Sequence, residues 1–160
     1  MRALVLLRDV RGRAVDVGSG GGSPGIPLAV ALPQLQVTLL EAERRKCEFL
    51  ERFATELPNV EVVWGRAEQQ PTDAFDVAFA KALAKPPVAV ELTLPLVRPG
   101  GLVLLWIGES ADREAVAEAA SQLAGAIEPS PSGIAVIRKT GRTPPRFPRK
   151  PGIAKKRPLA

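Results

Sequence analysis

Histidine is absent from this 160-residue chain, and cysteine occurs once, as Cys47. Without histidine, the chain lacks the side chain that most often acts as a base near neutral pH and most often binds zinc. A single cysteine excludes an internal disulfide and a metal cluster held by several thiolates. The apolar run at residues 3–7 is too short for a signal peptide or a membrane span. These absences favour a cytoplasmic protein with no resident metal and no membrane segment.

Acidic side chains are missing from the last part of the sequence. Residues 129–160 contain nine lysines and arginines and no acid, whereas residues 1–128 contain 13 basic and 17 acidic residues. The first part therefore carries a net charge of −4 and the second a net charge of +9. This distribution favours a polyanion such as RNA as partner, although a basic segment can also be a solvated tail.

We define residues 140–160 as the tail. Its prolines keep the segment extended, which spaces the cations along a path that suits an RNA backbone. Phe147 is expected either to stack on a base or to pack the tail onto the body, and we favour the second. The cations expected to bind RNA are Arg142, Arg146, Arg149, Lys150, Lys155, Lys156 and Arg157.

Apolar runs of strand length alternate with longer segments of helical periodicity. The alternation predicts a doubly wound α/β domain whose seven-stranded sheet is mostly parallel. The last two strands are too close for a crossover helix, so the last strand is predicted to be antiparallel. We expect this domain over residues 1–139, followed by the tail. The predicted strands are residues 13–17, 36–41, 60–64, 75–80, 102–107, 126–128 and 134–138, and the predicted helices are residues 24–32, 43–57, 86–97 and 111–124.

A glycine-rich stretch after the first predicted strand reads Asp-x-Gly-x-Gly-x-Gly over residues 16–22; we call residues 18–25 the glycine loop. There, glycines let a ligand approach the main chain. The dinucleotide pattern Gly-x-Gly-x-x-Gly fails, because Ser23 is sixth from Gly18 and Pro24 intrudes in the frame from Gly20. An acid before the first glycine suits S-adenosylmethionine, which carries an ammonium and a sulfonium. Asp16 is expected to favour that cationic end; alternatively, it caps a turn or helix.

A second acid, Glu41, ends the second predicted strand. A carboxylate there can accept hydrogen bonds from both ribose hydroxyls of a cofactor. The same placement occurs in nicotinamide sites, and an exposed strand-end acid would look alike in sequence. After the third strand, the residues around Ala67 and Glu68 can frame an adenine, with an ordinary loop as the alternative.

No side chain stands out as a catalytic base or nucleophile. Cys47 lies on the apolar side of the helix predicted at residues 43–57 and is expected in the core. The clamp that exocyclic amines require is absent, since Lys85 precedes the Pro86-Pro87 pair. If S-adenosylmethionine is the ligand, the reaction is transfer of its methyl group. A ring nitrogen with a free lone pair can accept a methyl group without a base or a nucleophile on the protein, so N7 of guanine is the favoured methyl acceptor. The core side of the helix is predicted to comprise Cys47, Leu50, Phe53, Ala54 and Leu57.

Six stretches follow one another in a recognisable order. They are D-V-G-S-G-G-G-S-P-G-I-P-L-A, V-T-L-L-E-A-E-R-R-K-C-E-F-L, G-R-A-E, F-D-V-A-F-A-K-A-L-A, L-P-L-V-R-P-G-G and T-P-P-R-F-P-R-K-P-G-I-A-K-K-R-P-L. Together, over residues 13–159, they resemble the GidB family, also called RsmG, of bacterial 16S rRNA guanine-N7 methyltransferases. The Ser-Pro-Gly-Ile-Pro continuation and the tail are specific to that family, whereas the glycine pattern is general among Rossmann-like class I methyltransferases.

The resemblance implies an S-adenosylmethionine-dependent enzyme that methylates N7 of a guanine in the 530 loop of 16S rRNA, in naked RNA or in the small ribosomal subunit. We expect it to be a monomer. Lys81 stands where the family usually has arginine, and is implied to face the cofactor carboxylate or a substrate phosphate. The implied cofactor contacts are Asp16, Gly18, Ser19, Gly20, Glu41, Ala67 and Glu68, with Gly22, Pro24 and Gly25 shaping the loop.

The chain departs from the family pattern elsewhere. Ser23 replaces a phenylalanine, which thins one wall of the pocket, and Ile107 replaces a lysine near the expected RNA path. Only residues 1–12 precede the first predicted strand, where the family has a longer helical segment. Two alternatives therefore remain: a relative that binds cofactor or RNA without turnover, and a nicotinamide-dependent oxidoreductase, which the failed dinucleotide pattern disfavours.

Overall fold

In the computed structural model, residues 2–160 are described, and they form a seven-stranded sheet with helices on both faces. The strand order is β3-β2-β1-β4-β5-β7-β6. Strands β1 to β5 are parallel, and β7 runs antiparallel to both β5 and β6. The predicted mostly parallel sheet with an antiparallel last strand is therefore confirmed. The strands are β1 (Gly12–Val17), β2 (Leu35–Glu41), β3 (Val60–Trp64), β4 (Phe75–Lys81), β5 (Val97–Trp106), β6 (Gly125–Glu128) and β7 (Ile134–Lys139).

The helices cover the sheet from both sides and divide the core into two apolar clusters. Strands β4 and β5 lie at the centre, and their residues 77–80 and 102–105 are apolar and buried in succession because both faces of the sheet are covered there. Among residues 2–160, no helix has the length and apolar character needed to cross a bilayer. The helices are α1 (Arg2–Leu7), α2 (Gly25–Ala31), α3 (Arg44–Ala54), α4 (Pro86–Thr93), α5 (Arg113–Ser121) and α6 (Ile153–Lys156), with short 3₁₀ turns at Ala67–Gln69 and Leu94–Leu96.

Strand order reverses beside β1, because β2 lies on one side of it and β4 on the other. In an open α/β sheet, such a reversal leaves a crevice at the carboxyl ends of the strands. The glycine loop, the end of β2 at Glu41 and the end of β4 at Lys81 all lie at that edge. The fold therefore brings the predicted cofactor residues to one place.

Helix α3 corrects one prediction about the core. Cys47 and Leu50 are buried, and burial raises the pKa of the Cys47 thiol. Phe53, expected beside them, is 45% exposed and packs edge-on against Phe49, with ring centroids 5.0 Å apart. At 3.6 residues per turn, Phe53 points about 120° away from Cys47, which takes it off the buried side.

Element ends also differ from the sequence pattern. The helix predicted at residues 86–97 stops at Thr93, a 3₁₀ turn follows at Leu94–Leu96, and β5 already begins at Val97. Helix α1 was not predicted, and it buries Ala3 and Leu7 against the second apolar cluster.

Candidate functional site

The glycine loop begins where β1 ends and is fastened to the neighbouring strand. The backbone N–H groups of Gly18 and Ser19 donate to the Leu40 carbonyl at 2.8 and 3.2 Å. Gly18 has φ +70°, and a Cβ atom there would lie 2.5 Å from Leu83 Cδ1. Gly22 has φ +92°, and a Cβ atom there would lie 2.4 Å from Ile26 Cδ1. The chain can follow this path only with glycine at these positions.

Asp16 lies beneath the loop rather than in its opening. Its side chain is 1% exposed, and Oδ2 accepts a hydrogen bond from the Gly25 N–H at 3.0 Å. Burial raises the pKa of Asp16 to about 6, the Gly25 hydrogen bond opposes that shift, and the nearby Glu41 adds to it. Ser19 Oγ donates to the Asp16 carbonyl at 2.9 Å. Asp16 thus supports the loop from below, and a direct contact with a cofactor stays a prediction.

Glu41 joins the loop to the end of β2. Its Oε2 accepts from the Gly20 N–H at 2.9 Å, and its Oε1 accepts from the Glu43 N–H at the same distance. The residue is 7% exposed, yet it faces a cavity on either side. A carboxylate oxygen has two acceptor positions, so each oxygen can still accept a hydrogen bond from a ligand hydroxyl.

Three adjoining cavities open at this edge of the sheet. The inner cavity measures about 260 Å³, and its lining includes Glu41, Gly65, Ala67, Glu68, Leu83 and Leu92. The loop cavity measures about 540 Å³, and its lining includes Gly18, Ser19, Gly20, Ser23, Lys46 and Lys81. The strand-end cavity measures about 410 Å³, and its lining includes Lys81, Leu83, Pro86, Ala89, Trp106 and Ile107. Leu83 lines all three, so they are neighbouring parts of one crevice.

Cations surround the loop cavity. Lys81 is exposed at the end of β4 and lines both the loop and strand-end cavities. Lys155 of the tail lines the loop and inner cavities. Lys46, which the sequence analysis missed, completes the set, and its Nζ lies 3.1 Å from Glu43 Oε2. Its position in the first turn of α3, close to Glu41 in sequence, was a usable signal.

The tail folds against the body instead of projecting from it. Phe147 is buried in the first apolar cluster, and so the tail is packed on the domain. Lys139, at the end of β7, donates to the Leu94 carbonyl at 3.0 Å and to Thr143 Oγ1 at 2.8 Å. Asp73 completes this group by accepting from the Thr143 hydroxyl at 2.9 Å. Burial lowers the pKa of Lys139 to about 8, against the opposing charge of Asp73.

The seven tail cations predicted to bind RNA do not share one environment. Arg149 points inward and forms a two-pronged ion pair with the buried carboxylate of Glu91, with 2.5 Å between Nε and Oε1. Arg146 stacks over the Phe147 ring at 5.0 Å and donates to Gln122. The others are exposed to solvent: Arg142, Lys150, Lys155, Lys156 and Arg157.

Glu68 links the inner cavity to the tail, since its Oε1 accepts from the Gly152 N–H at 3.2 Å. Gly152 and Ala154 line the same cavity. No sequence pattern indicates these contacts, because Glu68 and Gly152 are 84 positions apart. Pro24 directly precedes α2, Gly25 is its first residue, and Gly22 has a positive φ. Their role in shaping a cofactor loop stays a prediction.

Comparison with known proteins agrees with this geometry. The family model GidB, described as rRNA small subunit methyltransferase G, matches residues 2–132. A "Ribosomal RNA small subunit methyltransferase G" from Carboxydothermus hydrogenoformans is 39% identical over 98% of this chain and 75% of its own length. The protein of that name from Sorangium cellulosum is 44% identical over 85% of this chain and 62% of its own length.

Solved structures show the same fold at low sequence identity. The CurJ carbon methyltransferase has a TM-score of 0.66 at 13% identity, with 87% of this chain and 51% of that chain covered. The [4+2]-cyclase SpnF has a TM-score of 0.63 at 21% identity, with 80% of this chain and 58% of that chain covered. Since a cyclase shares the fold, the family match carries the assignment, and the predicted methyltransferase family is confirmed. The chain belongs to the GidB family, rRNA small subunit methyltransferase G.

Proposed function

We propose that this protein transfers a methyl group from S-adenosylmethionine to N7 of a guanine in the 530 loop of 16S rRNA. The observation that carries the proposal is the position of Glu41 between the inner and loop cavities, with the main chain of Gly20 on its Oε2. An elongated cofactor with a ribose at its middle fits a carboxylate placed between two connected cavities.

The residues present suit this cofactor. In the inner cavity, Glu41 would hold the ribose hydroxyls, and the apolar walls near Ala67 and Leu83 would hold the adenine. In the loop cavity, the bare main chain of Gly18 and Gly20 would accommodate the methionine end, because side chains there would block it. Asp16 contributes from below by fixing the Gly25 N–H and, when ionised, by its negative charge.

Lysine side chains suit the anionic groups of the cofactor and of the RNA substrate. Lys81 stands between the loop and strand-end cavities, within reach of either a cofactor carboxylate or an RNA phosphate. As a point charge it lacks the planar fork with which arginine, usual at this place, makes a bidentate contact. We propose that Lys81 orients a ligand rather than moving a proton.

The strand-end cavity supports an acceptor that needs no base. Among the described residues that line it, Lys81 is the only one with an ionisable side chain, and the rest are apolar residues or glycine. When bound, the cofactor supplies an electrophilic methyl carbon on a sulfonium. A guanine N7 would accept this methyl group through its free lone pair, with S-adenosylhomocysteine as the leaving group, so the protein would only have to align the two ligands and exclude water. No proton has to be removed from the acceptor.

The tail supports an RNA substrate. Its cations Arg142, Lys150, Lys155, Lys156 and Arg157 are exposed, and Lys155 lines the inner and loop cavities. Binding to RNA should therefore weaken steeply with salt. We propose that the protein acts as a monomer in the cytoplasm, where the small ribosomal subunit is its partner.

Mass spectrometry of 16S rRNA from cells with and without the gene tests the proposal. N7-methylguanine in the 530 loop is expected to disappear with the gene and to return when purified protein and S-adenosylmethionine are added to unmethylated subunits or RNA. Unchanged modification, or a different modified base, would refute the proposed specificity. Cofactor binding without any transfer would favour a relative that binds without turnover.

A further inference from the structure

The tail forms part of the wall of the inner cavity. Gly152, Ala154 and Lys155 line it, and Ala154 is buried. The proposed cofactor would therefore contact a segment that lies outside the residues matched by the family model. What holds this segment in place affects how well the cavity binds its ligand.

Two contacts fasten the tail at this position. Arg149 is paired with Glu91 of α4 through both carboxylate oxygens, and it also donates to the Arg157 carbonyl at 2.8 Å. Glu68 accepts from the Gly152 N–H on the other side. Leu92, next to Glu91 in α4, lines the inner cavity, so the ion pair is made to a helix that forms part of the cavity wall.

The fastened segment also carries the exposed cations Lys150, Lys155, Lys156 and Arg157. We propose that Arg149 is a positioning residue, which acts through Glu91 to hold the tail against the inner cavity, and that the tail thereby couples cofactor binding to RNA binding. A cofactor in the inner cavity would fix the same backbone that presents these cations to RNA. By linkage, RNA would then strengthen cofactor binding by the same factor. This inference rests on the proposed function.

The Arg149–Glu91 pair is suited to such a role. The Glu91 side chain is 3% exposed and that of Arg149 is 23% exposed. When one partner of a buried ion pair is removed, the other charge is left buried without a counter-charge. This strongly destabilises the arrangement that keeps it buried. Loss of Arg149 is therefore expected to release the tail from α4, whereas loss of an exposed cation would remove only a phosphate contact.

Binding measurements on the full chain test the inference, with S-adenosylhomocysteine and a 16S rRNA fragment spanning the 530 loop as probes. For the wild type we expect the ligands to strengthen each other's binding by at least about fivefold, within the usual range of coupling. Arg149→Gln should weaken S-adenosylhomocysteine binding about tenfold and reduce the coupling towards onefold. Its RNA affinity without S-adenosylhomocysteine should keep the wild-type salt dependence, because a lost phosphate contact would reduce that slope by about one.

Two variants complete the design. Glu91→Gln should reproduce the effect of Arg149→Gln, although no change is made in the tail itself. Arg98→Gln is the control, because it breaks an ion pair of 2.6 Å with Asp76 near the amino ends of β4 and β5, whereas the cavities lie at the carboxyl ends; both affinities should stay as in the wild type. Wild-type cofactor affinity and coupling in Arg149→Gln, or a reduced salt slope, would overturn the inference. A wild-type protein that binds both ligands without coupling would also overturn it, whereas one that binds no S-adenosylhomocysteine would refute the proposed function itself.

Discussion

Gly18 and Leu83 approach each other so closely that a Cβ atom on Gly18 would lie 2.5 Å from Leu83 Cδ1. Leu83 follows β4 and lines all three cavities, while Gly18 begins the loop after β1. The two sides of the strand-order reversal thus meet at one contact. The width of the crevice between β1 and β4 depends on the absence of a side chain at position 18.

Substitution of Gly18 by alanine should affect both stability and cofactor affinity. The φ of +70° disfavours alanine by about 1–2 kcal/mol, and Leu83, which lines all three cavities, must shift to make room. We expect a lower free energy of unfolding in urea and weaker S-adenosylhomocysteine binding by calorimetry. Gly21→Ala is the control for stability, since a Cβ there meets no atom within 4 Å. Equal stabilities of the two variants would contradict the loop geometry.

Glu41→Gln should weaken cofactor binding by tenfold or more while preserving the fold. Both carboxylate oxygens accept hydrogen bonds from backbone N–H groups, those of Gly20 and Glu43. Glutamine replaces one of these oxygens with an NH₂ group, which cannot accept a hydrogen bond. Calorimetry with S-adenosylhomocysteine measures the loss. Glu48→Gln, which alters an exposed carboxylate on α3 paired with Arg44, should bind as the wild type does. Undiminished affinity in Glu41→Gln would mean that the ribose lies elsewhere.

The buried Asp16 should give stability an unusual pH dependence. Its pKa in the folded protein is about 6, above the unfolded value of 3.8. Between these values the unfolded chain holds fewer protons at this group, so its contribution to stability falls as the pH rises from about 4 to 7. At about 1.4 kcal/mol per pKa unit, the whole effect is at most about 3 kcal/mol.

Asp16→Asn removes this titration and keeps an oxygen that can accept from Gly25. Urea unfolding at pH 4.5 and pH 7.5 is expected to show that the variant gains stability relative to the wild type at the higher pH. A constant difference between the two proteins would show that Asp16 titrates at its ordinary pKa.

Lys139→Met tests the junction between the sheet and the tail. The ammonium group donates to the Leu94 carbonyl and Thr143, and its removal leaves these acceptors and Asp73 without it. We expect a loss of about 3 kcal/mol in the free energy of unfolding. Lys150→Met, an exposed substitution in the tail, should change stability little.

The difference in stability between the wild type and Lys139→Met should also depend on pH. The pKa of Lys139 is lowered to about 8, so between pH 8 and its usual value of 10.5 the unfolded chain holds more protons, and stability from this group rises with pH. The wild type should therefore gain stability relative to Lys139→Met from pH 7.5 to pH 9.5. The opposite trend would contradict the burial of a lysine at this position.

The sequence pattern predicted the features that depend on residues close together in the chain. Alternating strands and helices predicted the sheet, and the glycines with Glu41 predicted where the crevice lies, because strand ends and loops follow from short-range periodicity. Phe53 was misplaced because it lies about 120° around α3 from Cys47, which takes it off the buried side.

Contacts between distant segments left no mark in the sequence pattern. Arg149 looked like the other tail cations, and only the structure shows that Glu91 holds it, 58 positions away. Leu83 carried no signal either, since a leucine after a strand usually belongs to the core. Long-range pairing depends on the packing of α4 against the tail, which a single sequence does not display.

The hydrogen bond between Glu68 and Gly152 has a consequence for biosynthesis. A nascent chain can complete the glycine loop and all the parallel strands while the residues that close the inner cavity are still being translated. Under the proposed role of the tail, a chain on the ribosome would bind the methyl donor at full affinity only after residues 149–157 have emerged from the exit tunnel and docked.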